Sequence, residues 1–152
     1  MMKKYTEAID MIAYYQENFR HPKMEQFCIS GLYDLFPERG DTEFQIKHKW
    51  PECWPNVEKG GVYMFIDVTG NVLYIGKTNK FGRRLGNYCM YNETKGCKLK
   101  QDTWKGQPRF VITVAVPDST WFEAYSLEAY LIDNIPTSDN VMGNKAYGTL
   151  QG

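Results

Sequence analysis

Apolar and polar positions alternate most clearly in the second half of the chain. From Gly61 onward, Val62, Met64, Ile66 and Val68 fall on one side of a period-two pattern, with Tyr63, Phe65 and Asp67 on the other. That alternation predicts a strand with two distinct faces. "TGN" separates it from a second extended run, "NVLYIGK", and the pair predicts a β-hairpin. A two-residue turn at Gly70 and Asn71 sets Asp67 opposite Tyr74, whereas a four-residue loop from Val68 to Asn71 sets Phe65 there. Either loop leaves Tyr63 and Tyr74 on one face of the sheet.

The period then changes. Phe81, Leu85, Tyr88 and Cys89 recur at helical spacing, with Thr78 or Asn79 as the N-cap. "RFVITVAV" predicts a further strand. "STWFEAYSLEAYLIDNI" predicts a helix opened by Ser119 or Thr120 and stopped before Pro136. In the first third, Tyr5, Ala8, Ile9, Ile12, Tyr15 and Phe19 predict a helix over 4–19. Met24, Phe27, Cys28, Leu32, Leu35 and Phe36 suggest a second short helix over 23–36. Residues 41–56 read as a short strand or an extended linker between prolines. The expected fold is α+β: a small central, mostly antiparallel three-stranded sheet flanked by helices in the order β-β-α-β-α, preceded by a helical N-terminal segment. The expected division is 1–55 as an N-terminal extension and 56–152 as the main domain.

Composition narrows the classes. A chain of 152 residues with 43% hydrophobic and 15% aromatic content builds a real core. No apolar run approaches the roughly 18 residues of a membrane span. Glu7, Asp10 and Glu17 interrupt any signal-peptide core, so the expected location is the cytoplasm. Cys28, Cys53, Cys89 and Cys97 form no C-x-x-C pair, and their spacings give no tight ligand pairs with His21 or His48, so reduced, mostly buried thiols are expected in place of a zinc site.

The formal net charge is zero but unevenly spread. Residues 77–109 hold nine basic side chains (Lys77, Lys80, Arg83, Arg84, Lys95, Lys98, Lys100, Lys105 and Arg109) against Glu93 and Asp102, a balance of +7. The first 55 residues hold seven basic and nine acidic side chains, a balance of −2. Phosphate binding follows the local field and not the total, although long lysine stems also solvate ordinary loops.

Glu128 is the anomalous acid. Trp121, Tyr125 and Ile132 lie at i−7, i−3 and i+4 from it, flanked by Ala124 and Leu131. A carboxylate on such a face needs a partner or a metal, so either a core ion pair or a catalytic role explains it. Glu123 and Asp133 read as solvated. Arg84 shares a helix face with Tyr88, four residues on, and Arg83 points to solvent. The glycines of "YIGKTNKFGRRLGNY" fit neither a Walker loop nor G-x-G-x-x-G, and no G-x-S-x-G is present.

These elements together resemble the GIY-YIG nuclease family. "GVY" at 61–63 and "YIG" at 74–76 are similar to its two name motifs, with Val62 in place of isoleucine. Arg84 and Tyr88 fall where the family helix carries an arginine and a tyrosine. "LEAYLIDNIPTSDNV" supplies Glu128, Leu131, Ile132, Pro136 and Asn140. The resemblance covers about residues 60–145 and leaves 1–55 unmatched.

It implies DNA phosphodiester hydrolysis with one Mg²⁺ or Mn²⁺ ion on Glu128, weakly held without substrate. Arg84 would neutralise transition-state charge. Tyr63 would take the proton of the attacking water, or exchange that role with Tyr74, and Lys77 would lower the phenol's pKa. Tyr74 and Tyr88 would orient water and phosphate, and Asn140 would fix the loop after the glutamate helix. Lys77, Lys80, Arg84, Lys98 and Lys100 are the expected DNA contacts. Residues 1–55 would pack on the domain or meet a protein partner or a second copy. The other class of function is a nucleic-acid- or partner-binding module that keeps the fold without cutting. The intact set Tyr63, Tyr74, Arg84 and Glu128 favours the enzyme.

Overall fold

The computed structural model describes residues 4–91, 93, 96–99 and 104–140. Its elements are α1 (Tyr5–Phe19), β1 (Cys28–Ile29), β2 (Leu32–Asp34), β3 (Ile46–Lys49), β4 (Gly61–Ile66), β5 (Val72–Thr78), α2 (Phe81–Tyr88), β6 (Cys89–Tyr91), β7 (Cys97–Leu99), β8 (Phe110–Ala115) and α3 (Glu123–Asn134). A 3₁₀ turn over Asp118–Thr120 precedes α3.

The expected antiparallel trio is present as β5-β4-β8, but the sheet does not stop there. Its order is β3-β2-β8-β4-β5, with β1 also paired to β8. The β2–β3 pair is parallel, so the sheet is mixed and larger than the three strands expected. The second helix expected over 23–36 does not form, and the N-terminal segment is only partly helical. The reason lies in the period. Leu32 packs into the cluster on one face of the sheet and Tyr33 into the cluster on the other, which is strand alternation. Nearby, Ser30 N–H donates to the Thr113 carbonyl at 2.9 Å, and Thr113 N–H donates back to Ser30 Oγ at 2.9 Å. The far side of β8 therefore has partners, where a helix would have left its backbone groups unpaired.

One face of the sheet carries Val62, Met64, Ile66, Val72, Ile75, Ile112 and Val114 against α1 and α3. Ile12, fully buried there, contributes on the order of 1.5–3 kcal/mol by leaving water. The other face carries Tyr63, Phe65, Tyr33 and Val111 against Phe81, Leu85 and Tyr88 of α2.

Glu123, expected to be solvated, is buried. Its two carboxylate oxygens accept from Arg20 Nε at 2.6 Å and Nη2 at 2.9 Å, which ties the end of α1 to the start of α3. Arg109, counted among the basic side chains of 77–109, is likewise buried, held by both oxygens of Asp34 and by the Gly40 carbonyl. Its charge is spent inside the fold. Among the described residues, no helix is long and apolar enough to cross a membrane.

Candidate active site

The β4–β5 register sets Phe65 opposite Tyr74 and Tyr63 opposite Gly76. Tyr63 and Tyr74 therefore share a face, and their ring centroids lie 6.1 Å apart. The pairing is that of the longer loop, with an irregularity between Phe65 and Ile66. Asp67 builds the turn: its Oδ1 accepts from the backbone N–H groups of Thr69 and Asn71, each at 2.9 Å.

Two glycines are required by close approach. A Cβ on Gly76 would run into the Tyr63 ring, so Tyr63 lies flat over the β5 backbone only because position 76 has no side chain. Gly61 has φ +153° and faces the Val114 carbonyl, where a Cβ would clash with backbone.

Helix α2 brings the arginine. Phe81 and Leu85 bury one side of it, and that orientation sets Arg84 beside the tyrosines. Arg84 Nε donates to the Tyr63 hydroxyl at 3.1 Å, and its guanidinium carbon lies 5.3 Å from the Tyr88 ring centroid. The Tyr63 and Tyr88 hydroxyls are hydrogen-bonded at 3.1 Å. Tyr74 completes the cluster through a hydrogen bond to Tyr88. Burial, with the Tyr74 hydroxyl close by, pushes the Tyr63 phenol up to about 12 against the opposing pull of Arg84 and Tyr88. Burial also pushes Tyr88 up to about 12. The hydrogen bond to Tyr63 holds Arg84 above its ordinary value. Arg83 points away, to Asn79 Oδ1 at 2.6 Å.

Lys77 and Glu128 form a second group. Side chains alternate along β5, so Tyr74 goes toward α2 while Lys77 goes toward α3. There Lys77 Nζ lies 3.7 Å from Glu128 Oε1 and 4.7 Å from the Tyr125 ring centroid. The cation against the Tyr63 phenol is therefore Arg84, and Lys77 answers Glu128 instead. Burial raises the Glu128 carboxyl above the ordinary carboxylate range, and Lys77 partly offsets this. Sequence reasoning expected Trp121 and Tyr125 to continue an apolar stripe around Glu128, but both are exposed.

Asn140 clamps the outer side of β5. Its Oδ1 accepts from Ile75 N–H at 3.0 Å and its Nδ2 donates to the Ile75 carbonyl at 2.9 Å. One side chain thus pairs both backbone groups of the residue between Tyr74 and Gly76.

Lys80 is answered by Glu58 at 3.1 Å, and Lys98 is exposed on β7. Lys100 lies outside the described residues. Sequence reasoning missed Trp104, which stacks on Tyr74 with centroids 5.1 Å apart and an interplanar angle of 25°. It sits in a loop without periodicity, so no pattern could have marked it.

Among the described residues, no three His, Cys, Asp or Glu side chains gather as a metal site. Glu128 offers a half-buried hard oxygen donor. That suits an ion such as Mg²⁺, which keeps most of its waters and takes one or two carboxylates together with substrate phosphate.

The hairpin tyrosines with the arginine of α2 form one candidate group, and the α3 carboxylate with Lys77 forms the other. The chain matches the family model of the GIY-YIG catalytic domain over residues 59–138, just over half its length, and it belongs to the GIY-YIG family. Searches of curated proteins and of solved structures each gave no match. The GIY-YIG domain is typical of nucleases, and DNA is the substrate class that goes with it.

Proposed function

We propose that the protein is a metal-dependent endonuclease that hydrolyses DNA phosphodiester bonds with a single divalent ion. The observation that carries this reading is the Arg84 contact to Tyr63 inside a cluster of three tyrosines. A guanidinium seated against a buried phenol stabilises negative charge on either the phenolate or an approaching phosphate.

In this reading Tyr63 is the base. Its phenolate takes a proton from the water that attacks phosphorus, and the P–O3′ bond breaks. Arg84 offers its remaining N–H donors to the equatorial oxygens as charge builds there. Tyr88 keeps the Tyr63 hydroxyl oriented, and Tyr74, held by Trp104, orients the water. Glu128 would hold Mg²⁺ or Mn²⁺, which supplies Lewis-acid stabilisation of the leaving oxygen. One carboxylate gives a weak site until phosphate joins it. Lys77 opposes the upward push of burial on the Glu128 carboxyl and, with Lys80 and Lys98, steers DNA toward the site. Asn140 serves by holding β5 in register.

Residues 1–55 act as structural cover in this reading, because their strands and α1 are already used against β8 and α3. The four cysteines are free thiols, which suits a reducing compartment such as the cytoplasm.

Plasmid nicking with Mg²⁺ tests the proposal, comparing the wild type with Glu128→Ala and Tyr63→Phe. Activity that survives Glu128→Ala or persists in a chelator would remove the metal role. A wild type silent on DNA and RNA across metals and salts would make the chain a binding module of the same fold.

A further inference from the structure

A cleft of about 450 Å³ opens beside Lys77 and Glu128, between the end of β5 and the start of α3. Val116, Pro117 and Ala124 give it an apolar lining, and Trp121 and Tyr125 form an aromatic wall. With Phe122 these aromatics make one continuous patch, since the Trp121 centroid lies 5.8 Å from Phe122 and 6.3 Å from Tyr125. Trp121 is 62% exposed, Phe122 56% and Tyr125 53%. Large exposed apolar patches mark interaction sites, and here two rings flank a third in water.

The charges around the cleft are already answered. Lys59 pairs with Asp118 at 3.1 Å and Lys80 with Glu58 at 3.1 Å. The opening is therefore close to neutral and poorly suited to a phosphate of its own. Asn79 adds polarity at the edge: its Oδ1 holds Arg83, and among the described residues its amide N–H groups have no hydrogen-bond acceptor. A planar, neutral ligand that stacks and accepts hydrogen bonds fits this lining. The patch is also continuous with the Lys77–Glu128 pair, since Lys77 touches both the Tyr125 ring and Glu128.

We propose that this cleft holds an unpaired nucleobase of the substrate, stacked on Trp121 and Tyr125, next to the phosphate served by Lys77 and Glu128. The proposal rests on the nuclease reading and narrows its substrate to DNA with a single-stranded or displaced base at the cut site. Bases inside a duplex are stacked on one another and offer no free face, so the aromatic wall discriminates between the two forms. A protein seated on the patch would cover Lys77, which the chemistry needs open.

The test uses the full chain carrying Glu128→Gln to suppress cleavage. Anisotropy is read with a labelled single-stranded oligodeoxynucleotide and with a blunt duplex of the same sequence. Trp121→Ala in that background should weaken single-strand binding about tenfold or more and change duplex binding less than twofold. Trp121→Phe should recover most of the loss, since a ring is restored. Far-UV circular dichroism guards against misfolding, and Tyr125→Leu supplies a second variant on the same wall. Equal losses on both ligands, or no loss on either, would overturn the proposal. A change in oligomeric state with single-strand affinity intact would overturn it too, and would assign the patch to self-association. The nuclease reading fails separately: plasmid cutting without single-strand preference sinks only the cleft, whereas stacking without cutting sinks only the nuclease.

Discussion

Arg84 Nε stands 3.1 Å from the Tyr63 hydroxyl oxygen, and this contact joins helix α2 to strand β4 at the centre of the site. Arg84 is otherwise exposed, so its removal leaves the apolar face of α2 in place. Arg84→Ala should therefore fold normally yet lose about 10²–10³-fold in cleavage rate, the usual cost of deleting one charge-stabilising donor. Arg84→Lys should recover little of this, because an ammonium cannot reproduce the planar fork of donors. Single-turnover nicking beside a thermal melt separates the two effects.

The Tyr63 phenol, pushed up to about 12, gives a pH signature. If its phenolate is the base, the cleavage rate should climb about tenfold per pH unit from pH 6 to 9 in the wild type. Tyr63→Phe should be slow and flat over that range. Stability runs the other way. The neutral form is favoured by the fold, so the contribution is fully present below the ordinary value of 10.0 and is lost as pH rises from there toward 12. Urea titrations at pH 9 and pH 11 should show the decline, and Tyr63→Phe should blunt it.

Glu128 sets function against stability. Burial raises its carboxyl, so its contribution is complete at acid pH, where the group is protonated in both states, and falls as pH rises through the raised folded value. Glu128→Gln should therefore melt no lower than the wild type at pH 7 while losing metal-dependent cleavage. A markedly lower melting temperature would mean that the pair with Lys77 outweighs the burial penalty.

Arg20 and Glu123 bear on folding alone. Both side chains are almost fully buried, at 2% and 8% exposure. Glu123→Ala strands a guanidinium in the interior and should cost about 3–5 kcal/mol by urea denaturation. Replacing both by apolar residues of similar size should cost much less than either single change.

The grouping of the candidate tyrosines with Arg84 was more legible in the sequence than the fold around it. Tyr63, Tyr74, Arg84 and Tyr88 lie within one hairpin and the next helix, where a period of two and then of nearly four fixes which side chains meet. The partner of Lys77 was not legible, because alternation along β5 turns Lys77 toward α3 and only the folded chain brings Glu128 there. Residues 23–36 misled for a different reason. Their apolar residues satisfy a helical spacing loosely, and the open side of β8 decided in favour of strands. Glu123 misled because it lies off the apolar stripe expected around Glu128, while its true partner, Arg20, is 103 residues away.

Strands β1 and β2 on β8, with Arg20 locked onto Glu123, carry a lesson for anyone wishing to dissect the molecule. The packed sheet and its buried ion pair extend beyond the stretch by which the family is recognised. Trimming the chain to the matched region would leave an apolar strand seeking a new neighbour, and another copy of the same strand would be the nearest supply. Such a fragment would report on aggregation before it reported on catalysis.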